Sequence, residues 1–470
     1  MLRILHTSDW HLGHTLKDLS REQEHAHFLE FLYSVISTHR VDVLLIAGDV
    51  FETANPPAAA QNAWYGFLAT AHRRYPWLDI VVIGGNHDSA ARLDAPNPLI
   101  QGLGNASSGG GRVHVIGGLP RRDDGRLDLA RLVVPVRGQQ GVAAWVCAVP
   151  FLRPADLPRH DPEHRRSDDE LVDGVWRIYD EVLAEIRRRK ADSHAIVAMG
   201  HCYMAGGALS ELSERKILGG NQHALPVSIF PDDVAYVALG HLHKAQEVGA
   251  PHVRYSGSPI PLSLGEREYD HQVLLVELDG PNFVRARPIP VPRRVQFLRI
   301  PAELPYDTPE NVLAAIDELP EGVGLDELEG LDLSANEMPA AARPGQLALL
   351  GSAEDNGPST APLGPPPGTT GAPIDRPLLE IQVLLQQPDP GLRRRIEEAL
   401  AGKHARLLKL GVTLKGDPAK EQPAPRQNLR DLQPDDVFER LYDRVYDAAP
   451  PPELLAAWAE LLDTVHQESP

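Results

Sequence analysis

The chain has 470 residues, room for two or three domains, which excludes a minimal binding module. Hydrophobic residues at 42% and charged residues at 24% exclude a wholly disordered, collagen-like or coiled-coil chain. A net charge of −19 excludes attraction of a polyanion by the whole surface, so a nucleic-acid contact is expected to be local, metal-assisted or shared with a partner.

In chain order, residues 1–280 alternate short apolar runs with amphipathic segments, the pattern of an α/β domain whose helices cover a buried sheet. Strand-like runs fall at 2–5, 43–47, 80–83, 196–199 and 234–239. Between them, Phe28, Leu29, Leu32 and Val35, and later Val172, Tyr179, Val182 and Ile186, recur at the three-to-four spacing of a core-facing helix. Residues 281–415 carry runs at 295–300, 378–385 and 405–410 and helical patterns near 309–318 and 391–401. That pattern predicts a small α+β domain, interrupted by a Pro/Gly-rich insertion at 330–375 that is expected to be disordered. Residues 416–470 read as a linker and two short helices with Phe438, Tyr442 and Trp458 on apolar faces. Helices this short need a docking surface, either their own domain or another protein.

Cys147 and Cys202 are the only cysteines, too few for a disulfide framework or a Cys-rich zinc site, which predicts a reducing, cytoplasmic setting. The N-terminus turns polar too early for a signal peptide, and no apolar run has the length of a membrane span, so no membrane association is expected.

The chemistry sits directly after the five runs of the first domain. They are followed in turn by Asp9 and His11, by Asp49, by Asn86, His87 and Asp88, by His201, and by His241 and His243. Each fragment alone also fits a turn, a cap or a hydrogen-bonded core histidine. Five in succession at strand ends, where α/β sheets place their sites, point to one convergent cluster. Four histidines, carboxylates and an asparagine carbonyl form a mixed nitrogen and oxygen donor set suited to Mn, Fe or Zn, and there are enough donors for two ions. Asp49 is the candidate bridge between them, and the reaction class is phosphoester hydrolysis. His87 is either a further ligand or, as favoured here, a general acid or transition-state stabiliser. Asp88 either orients the His87 imidazole or caps a turn.

Asp9-Trp10-His11, Gly48-Asp49, Gly85-Asn86-His87-Asp88, Gly200-His201 and Gly240-His241-Leu242-His243 resemble, in this order, the calcineurin-like metallophosphoesterases. His6 to Gly13, Ser89 with Arg92-Leu93, Lys244, and Tyr255-Ser256-Gly257-Ser258-Pro259 narrow the resemblance to the bacterial SbcD family, nuclease half of the SbcCD double-strand-break complex. The resemblance implies a sandwich of mixed β-sheets flanked by helices, a small capping domain and C-terminal helices that dock on an SbcC-like ABC/SMC-type ATPase. It also implies one Mn²⁺ on Asp9, His11, Asp49 and His243, a second on Asp49, Asn86, His201 and His241, and His87 as the catalytic histidine. The implied activity is 3′-5′ exonuclease action on double-stranded DNA ends with endonuclease cutting of single strands and hairpins, in DNA repair, recombination and replication, by a homodimer within a heterotetramer. One departure stands out: Glu52 occupies the place of the second Asp in the family's usual Gly-Asp-x-x-Asp. A phosphoprotein phosphatase, a small-molecule phosphodiesterase and a non-catalytic scaffold are the alternative functions.

Basic clusters divide by position. Arg187 to Lys190 close a helical pattern and read as a solvated helix end, whereas Arg393 to Arg395, with Lys403, Arg406 and Lys409, are the candidate phosphate contacts.

Overall fold

The computed structural model describes residues 1–104, 111–158, 167, 169–208, 224–321, 376–415, 451 and 454. The insertion at 330–375 and the segment 416–470, apart from 451 and 454, lie outside the described residues, so the expectations of disorder and of two C-terminal helices fall on residues not described.

Strand β1 (Leu2–Thr7) leads through a small hairpin, β2 (Thr15–Leu16) and β3 (Leu19–Ser20), into helix α1 (Glu22–His39). There follow β4 (Val43–Ala47), α2 (Ala58–Arg74), β5 (Asp79–Ile83), α3 (Ala90–Asp94), α4 (Asn97–Gly104), β6 (Val113–Ile116) and α5 (Leu129–Leu132). The second half contains β7 (Val133–Gly138), β8 (Gly141–Ala148), α6 (Glu170–Arg189), β9 (Ala195–His201), β10 (Tyr236–Gly240), β11 (Gln246–Val248), β12 (Ala250–Tyr255), β13 (Gln272–Asp279) and β14 (Asn282–Pro290).

These strands form two six-stranded sheets, ordered β14-β13-β1-β4-β5-β6 and β11-β12-β10-β9-β8-β7. Each has a parallel core, β1, β4, β5 and β6 in one and β12, β10, β9 and β8 in the other, with antiparallel pairing beyond it. The five runs seen in the sequence are the central strands, shared between the sheets as β1, β4, β5 and β9, β10.

All five residues of β4 are buried, because both its faces are covered. Val43, Leu45 and Ala47 pack toward the second sheet, and Leu44 and Ile46 pack with Phe28 and Leu32 of α1 and Trp64 and Phe67 of α2. Helix α6 covers the second sheet through Tyr179, Val182 and Ile186. Asp169 caps it by accepting from the Leu171 and Val172 N–H groups. The result is a four-layer α/β/β/α sandwich of mixed sheets, as the family resemblance implies.

Two expectations need correction. The boundary at 280 falls inside a hairpin: β14 pairs antiparallel with β13 from Gln272↔Pro290 to Asp279↔Asn282, so the first domain runs to about residue 290. The strand is largely exposed, with no buried residue, and reads weakly as a core element. Among the described residues the second unit contains β15 (Phe297–Ile300), α7 (Pro309–Asp317), β16 (Leu378–Leu385), α8 (Leu392–Leu400) and β17 (Arg406–Leu414). Among the described residues its three strands are all parallel, with α7 and α8 lying between them in the chain, where a mixed α+β pattern is expected from the sequence. Apolar runs mark strands without giving their direction. The unit meets the first domain where Leu16 packs with Val295, Leu378 and Leu408, and where the Lys17 ammonium donates to the Leu408 carbonyl at 2.7 Å.

Candidate metal centre

The polar residues singled out in the sequence gather at the carboxyl ends of β1, β4 and β5 in one sheet and β9 and β10 in the other, at the seam between the sheets. The chain turns abruptly there. Asp9, His11 and Asp49 have φ of 55°, 49° and 50°, and His241 has φ of 101°, a left-handed backbone that non-glycine residues adopt only where their surroundings enforce it. The enforcing contacts are visible. The Asp9 and His11 N–H groups donate to the Gly48 and Asp49 carbonyls at 3.0 Å each, and the His241 N–H donates to Asp9 Oδ1 at 2.9 Å. Trp10 is fully buried edge-on to Phe28, Trp64 and Phe67 and anchors the turn between Asp9 and His11.

Glycines make the close approach possible. A Cβ on Gly48 would overlap the His201 ring, and one on Gly240 would overlap the Ala47 carbonyl.

The ring nitrogens are sorted by their acceptors. His201 Nδ1 donates to the Ala47 carbonyl at 2.8 Å, and His87 Nδ1 to the Glu52 carbonyl at 2.8 Å. His11 Nδ1 faces Glu52 Oε2 at 2.8 Å and His243 Nδ1 faces Glu266 Oε1 at 3.0 Å, both carboxylates held low enough to stay ionised. In their neutral forms all four imidazoles therefore keep Nε2 as a bare electron pair.

Two of these pairs, on His201 and His11, face oxygen atoms of Asn86 and Asp49. His201 Nε2 stands 2.9 Å from Asn86 Oδ1 and 3.3 Å from Asp49 Oδ2, and Asn86 Oδ1 is also 3.0 Å from His241 Nδ1. His11 Nε2 is buried with no hydrogen-bond partner, 3.6 Å from the same Asp49 Oδ2. Asp9, His11 and His243 bring ligand atoms within 4.8 Å of one another, as do Asp9, Asp49 and His201. Lone pairs converging in a buried pocket repel unless a proton or a cation lies among them. The donor set therefore fits divalent metal.

Without such a cation the pocket draws in protons instead. Burial alone would lower His201 and His243, but the charge of Asp49 on the first and the bond to Glu266 on the second override it and raise each to about 9. His241 goes the other way, down to about 3, through burial and then the positive charge of His201. Burial works to raise Asp49, yet the charges of His201, His11 and His87 hold it well below the usual carboxylate range.

His87 is only partly buried, and its ring lies 4.8 Å from that of His11, edge to face. It stands at the mouth of the pocket. Asp88 does not orient it. The Asp88 carboxylate accepts from the backbone N–H groups of Gly85, Val50 and Phe51 at 2.9, 3.1 and 3.0 Å, clamping the two ligand loops together. Burial, then the charge of Asp49, raise it to about 6. A capping role is the competing expectation, and the backbone contacts agree with it. The residue that holds the His87 ring is Glu52, through its carbonyl, while the Glu52 carboxylate holds His11 and lies 3.3 Å from His14 Nδ1. Glutamate at this position thus still reaches the ligand histidine. Sequence reasoning misses Glu266, because it lies 23 residues from its partner and no spacing rule connects them.

The basic clusters carry less free charge than their sequence suggests. Arg187 makes two 2.7 Å bonds to Asp233, and Arg188 and Arg189 bond Glu185. Arg393, Arg394 and Arg395 bond Glu397, Glu398 and Asp389, and Lys403 and Lys409 bond Glu321 and Glu380.

Residues 2–245 match the calcineurin-like phosphoesterase family, and residues 366–446 match the family described as the type 5 capsule protein repressor C-terminal domain. The SbcD subunit of the SbcCD nuclease of Rhodobacter capsulatus is 44% identical over 322 residues, 68% of this chain and 76% of that protein. The proteins of the same name from Escherichia coli and Bacillus subtilis are 36% and 34% identical, over 58% and 59% of this chain and 64% and 66% of theirs. The match to the phosphoesterase family over more than half the chain, together with this degree of identity, establishes that the chain belongs to the SbcD family of calcineurin-like metallophosphoesterases.

Proposed function

We propose that this chain is the nuclease subunit of an SbcCD-type complex, hydrolysing DNA phosphodiesters at a pair of Mn²⁺ ions. Asp9, His11, Asp49 and His243 would hold one ion, and Asp49, Asn86, His201 and His241 the other, with Asp49 shared. The observation that carries this reading is the position of Asp49 Oδ2, between the unpartnered His11 Nε2 at 3.6 Å and His201 Nε2 at 3.3 Å, one histidine from each ligand set. A metal pair supplies an activated water and neutralises the charge of the phosphate oxygens.

The chain's own residues do the rest. His87, at the pocket mouth, gives a proton to the leaving oxygen or stabilises the charge developing there, and the Glu52 carbonyl fixes its ring for that task. Asp88 keeps the loops bearing Asp49 and Asn86 in register. Glu52 holds His11 in the tautomer that presents Nε2.

The substrates on this reading are double-stranded DNA ends and hairpins, and the partner is an SbcC-like ATPase docked by residues 416–470. The working assembly is a heterotetramer containing two copies of this chain. Residues 291–415 form the capping domain. A cytoplasmic setting fits the free thiols of Cys147 and Cys202, and among the described residues no helix is long and apolar enough to cross a membrane. The test is digestion of end-labelled duplex and hairpin DNA with Mn²⁺, with and without the ATPase partner and ATP. Cleavage that requires Mn²⁺ is expected. Hydrolysis of a nitrophenyl phosphodiester with intact DNA would favour a small-molecule phosphodiesterase.

A further inference from the structure

Glu266 ends the 3₁₀ turn Leu264–Glu266 and is completely buried. One carboxylate oxygen faces His243 Nδ1 at 3.0 Å, and the other accepts from the Leu262 N–H at 2.8 Å. A buried carboxylate is costly to desolvate unless charge and hydrogen bonds compensate, and these contacts supply that compensation. The residues on either side tie the turn to the small parallel sheet. Leu264 packs against Leu16, Val295, Leu378 and Leu408, and Arg267 Nη1 bonds Glu380 Oε2 at 3.1 Å. Glu380 is itself buried, with its other oxygen held by Lys409 at 2.9 Å.

We propose that Glu266 is a positioning residue for the metal centre, holding His243 with Nε2 bare and aimed into the pocket, and that the small sheet anchors Glu266 through Leu264 and Arg267. This rests on the reading of His243 as a ligand. A carboxylate that merely closes the loop from Ser256 to Glu266 would affect folding without regard to His243. One that positions the imidazole acts on metal through that imidazole alone.

The experiment is Mn²⁺ binding to the full chain, with affinities from equilibrium titration and the spin-coupled signal of a metal pair read by electron paramagnetic resonance. Wild type is expected to bind two ions. Glu266→Gln removes the charge and turns an amide toward the Leu262 N–H, and it is expected to weaken one of the two sites by about 10- to 100-fold, replacing the coupled signal with that of isolated ions. In a His243→Asn background the same change is expected to alter the remaining affinity by less than about twofold, as a double-mutant cycle requires of residues acting as a unit. Unchanged affinity in Glu266→Gln, or an equal loss in the His243→Asn background, overturns the proposal. If Glu266→Gln does not fold, Glu266→Asp keeps the charge on a shorter arm and is expected to cost about tenfold at the same site, with unchanged affinity again decisive against it. Failure of the wild type to bind a metal pair would instead remove the ligand reading itself.

Discussion

His201 Nδ1 donates a 2.8 Å hydrogen bond to the carbonyl of Ala47, so a strand end in one sheet orients an imidazole carried by the other. The metal centre therefore depends on the packing of the two sheets. His6 reinforces the same seam from β1, bonding the Tyr236 hydroxyl at 2.9 Å and the Leu239 carbonyl at 3.2 Å.

The narrowest point of that seam is Gly48, with φ of +90° and the His201 ring where a Cβ would lie. Overpacking costs about 1–3 kcal/mol, and a left-handed backbone with a side chain adds about 1–2 kcal/mol. Gly48→Ala is expected to lose at least about 2 kcal/mol in urea unfolding without metal, and to take up Mn²⁺ more weakly because His201 is displaced. Wild-type stability would contradict the close approach.

His87 belongs to neither proposed ligand set, and its Nδ1 is spent on the Glu52 carbonyl. His87→Asn is expected to retain both ions while DNA cleavage falls about 10²- to 10⁴-fold, the range for loss of a general acid. Metal content and cleavage rate measured on the same preparation check this. Undiminished cleavage by the assembled complex would make the chain a scaffold.

Converging lone pairs make the metal-free pocket a source of instability, so ligand binding and folding are linked. Mn²⁺ at a hundredfold excess over its dissociation constant is expected to add about 2.7 kcal/mol per site, with a chelator reversing it. Thermal unfolding reads this directly. Asp49→Asn, which weakens the shared ligand, is expected to shrink the Mn²⁺-dependent shift by more than half.

His6 titrates ordinarily near 6.5, but burial lowers it to about 3 in the fold. Between those values the unfolded chain binds the proton and the folded chain does not. The contribution of neutral His6 is therefore complete above about pH 6.5 and is lost progressively as the pH falls toward 3. In His6→Gln, the decline of the urea midpoint between pH 7 and pH 4 is expected to be shallower than in the wild type. An identical slope would show that His6 is not protonated on unfolding.

Much of the site is legible in the residue order alone. The strands bearing Asp9, Asp49, Asn86, His201 and His241 announce themselves as short apolar runs, because a doubly covered strand must be apolar on both faces. The glycines before Asp49, Asn86, His201 and His241 mark where the chain bends or another group passes close. The hairpin strand β14 is the counterexample: largely exposed and rich in Arg and Pro, it carries no core signature, and only its pairing with β13 assigns it to the first domain.

By itself, then, the sequence determines which residues can ligate a metal, that they lie at strand ends, and the family to which the chain belongs. Only the tertiary structure decides which second groups hold the site's imidazoles: Glu52 rather than Asp88 at His87, Ala47 at His201, and Glu266 at His243. The reason is range. Periodicity and turn chemistry act over a few residues, whereas the bond from His201 to Ala47 spans 154 residues and that from His241 to Asp9 spans 232, and both exist only once two sheets have packed face to face.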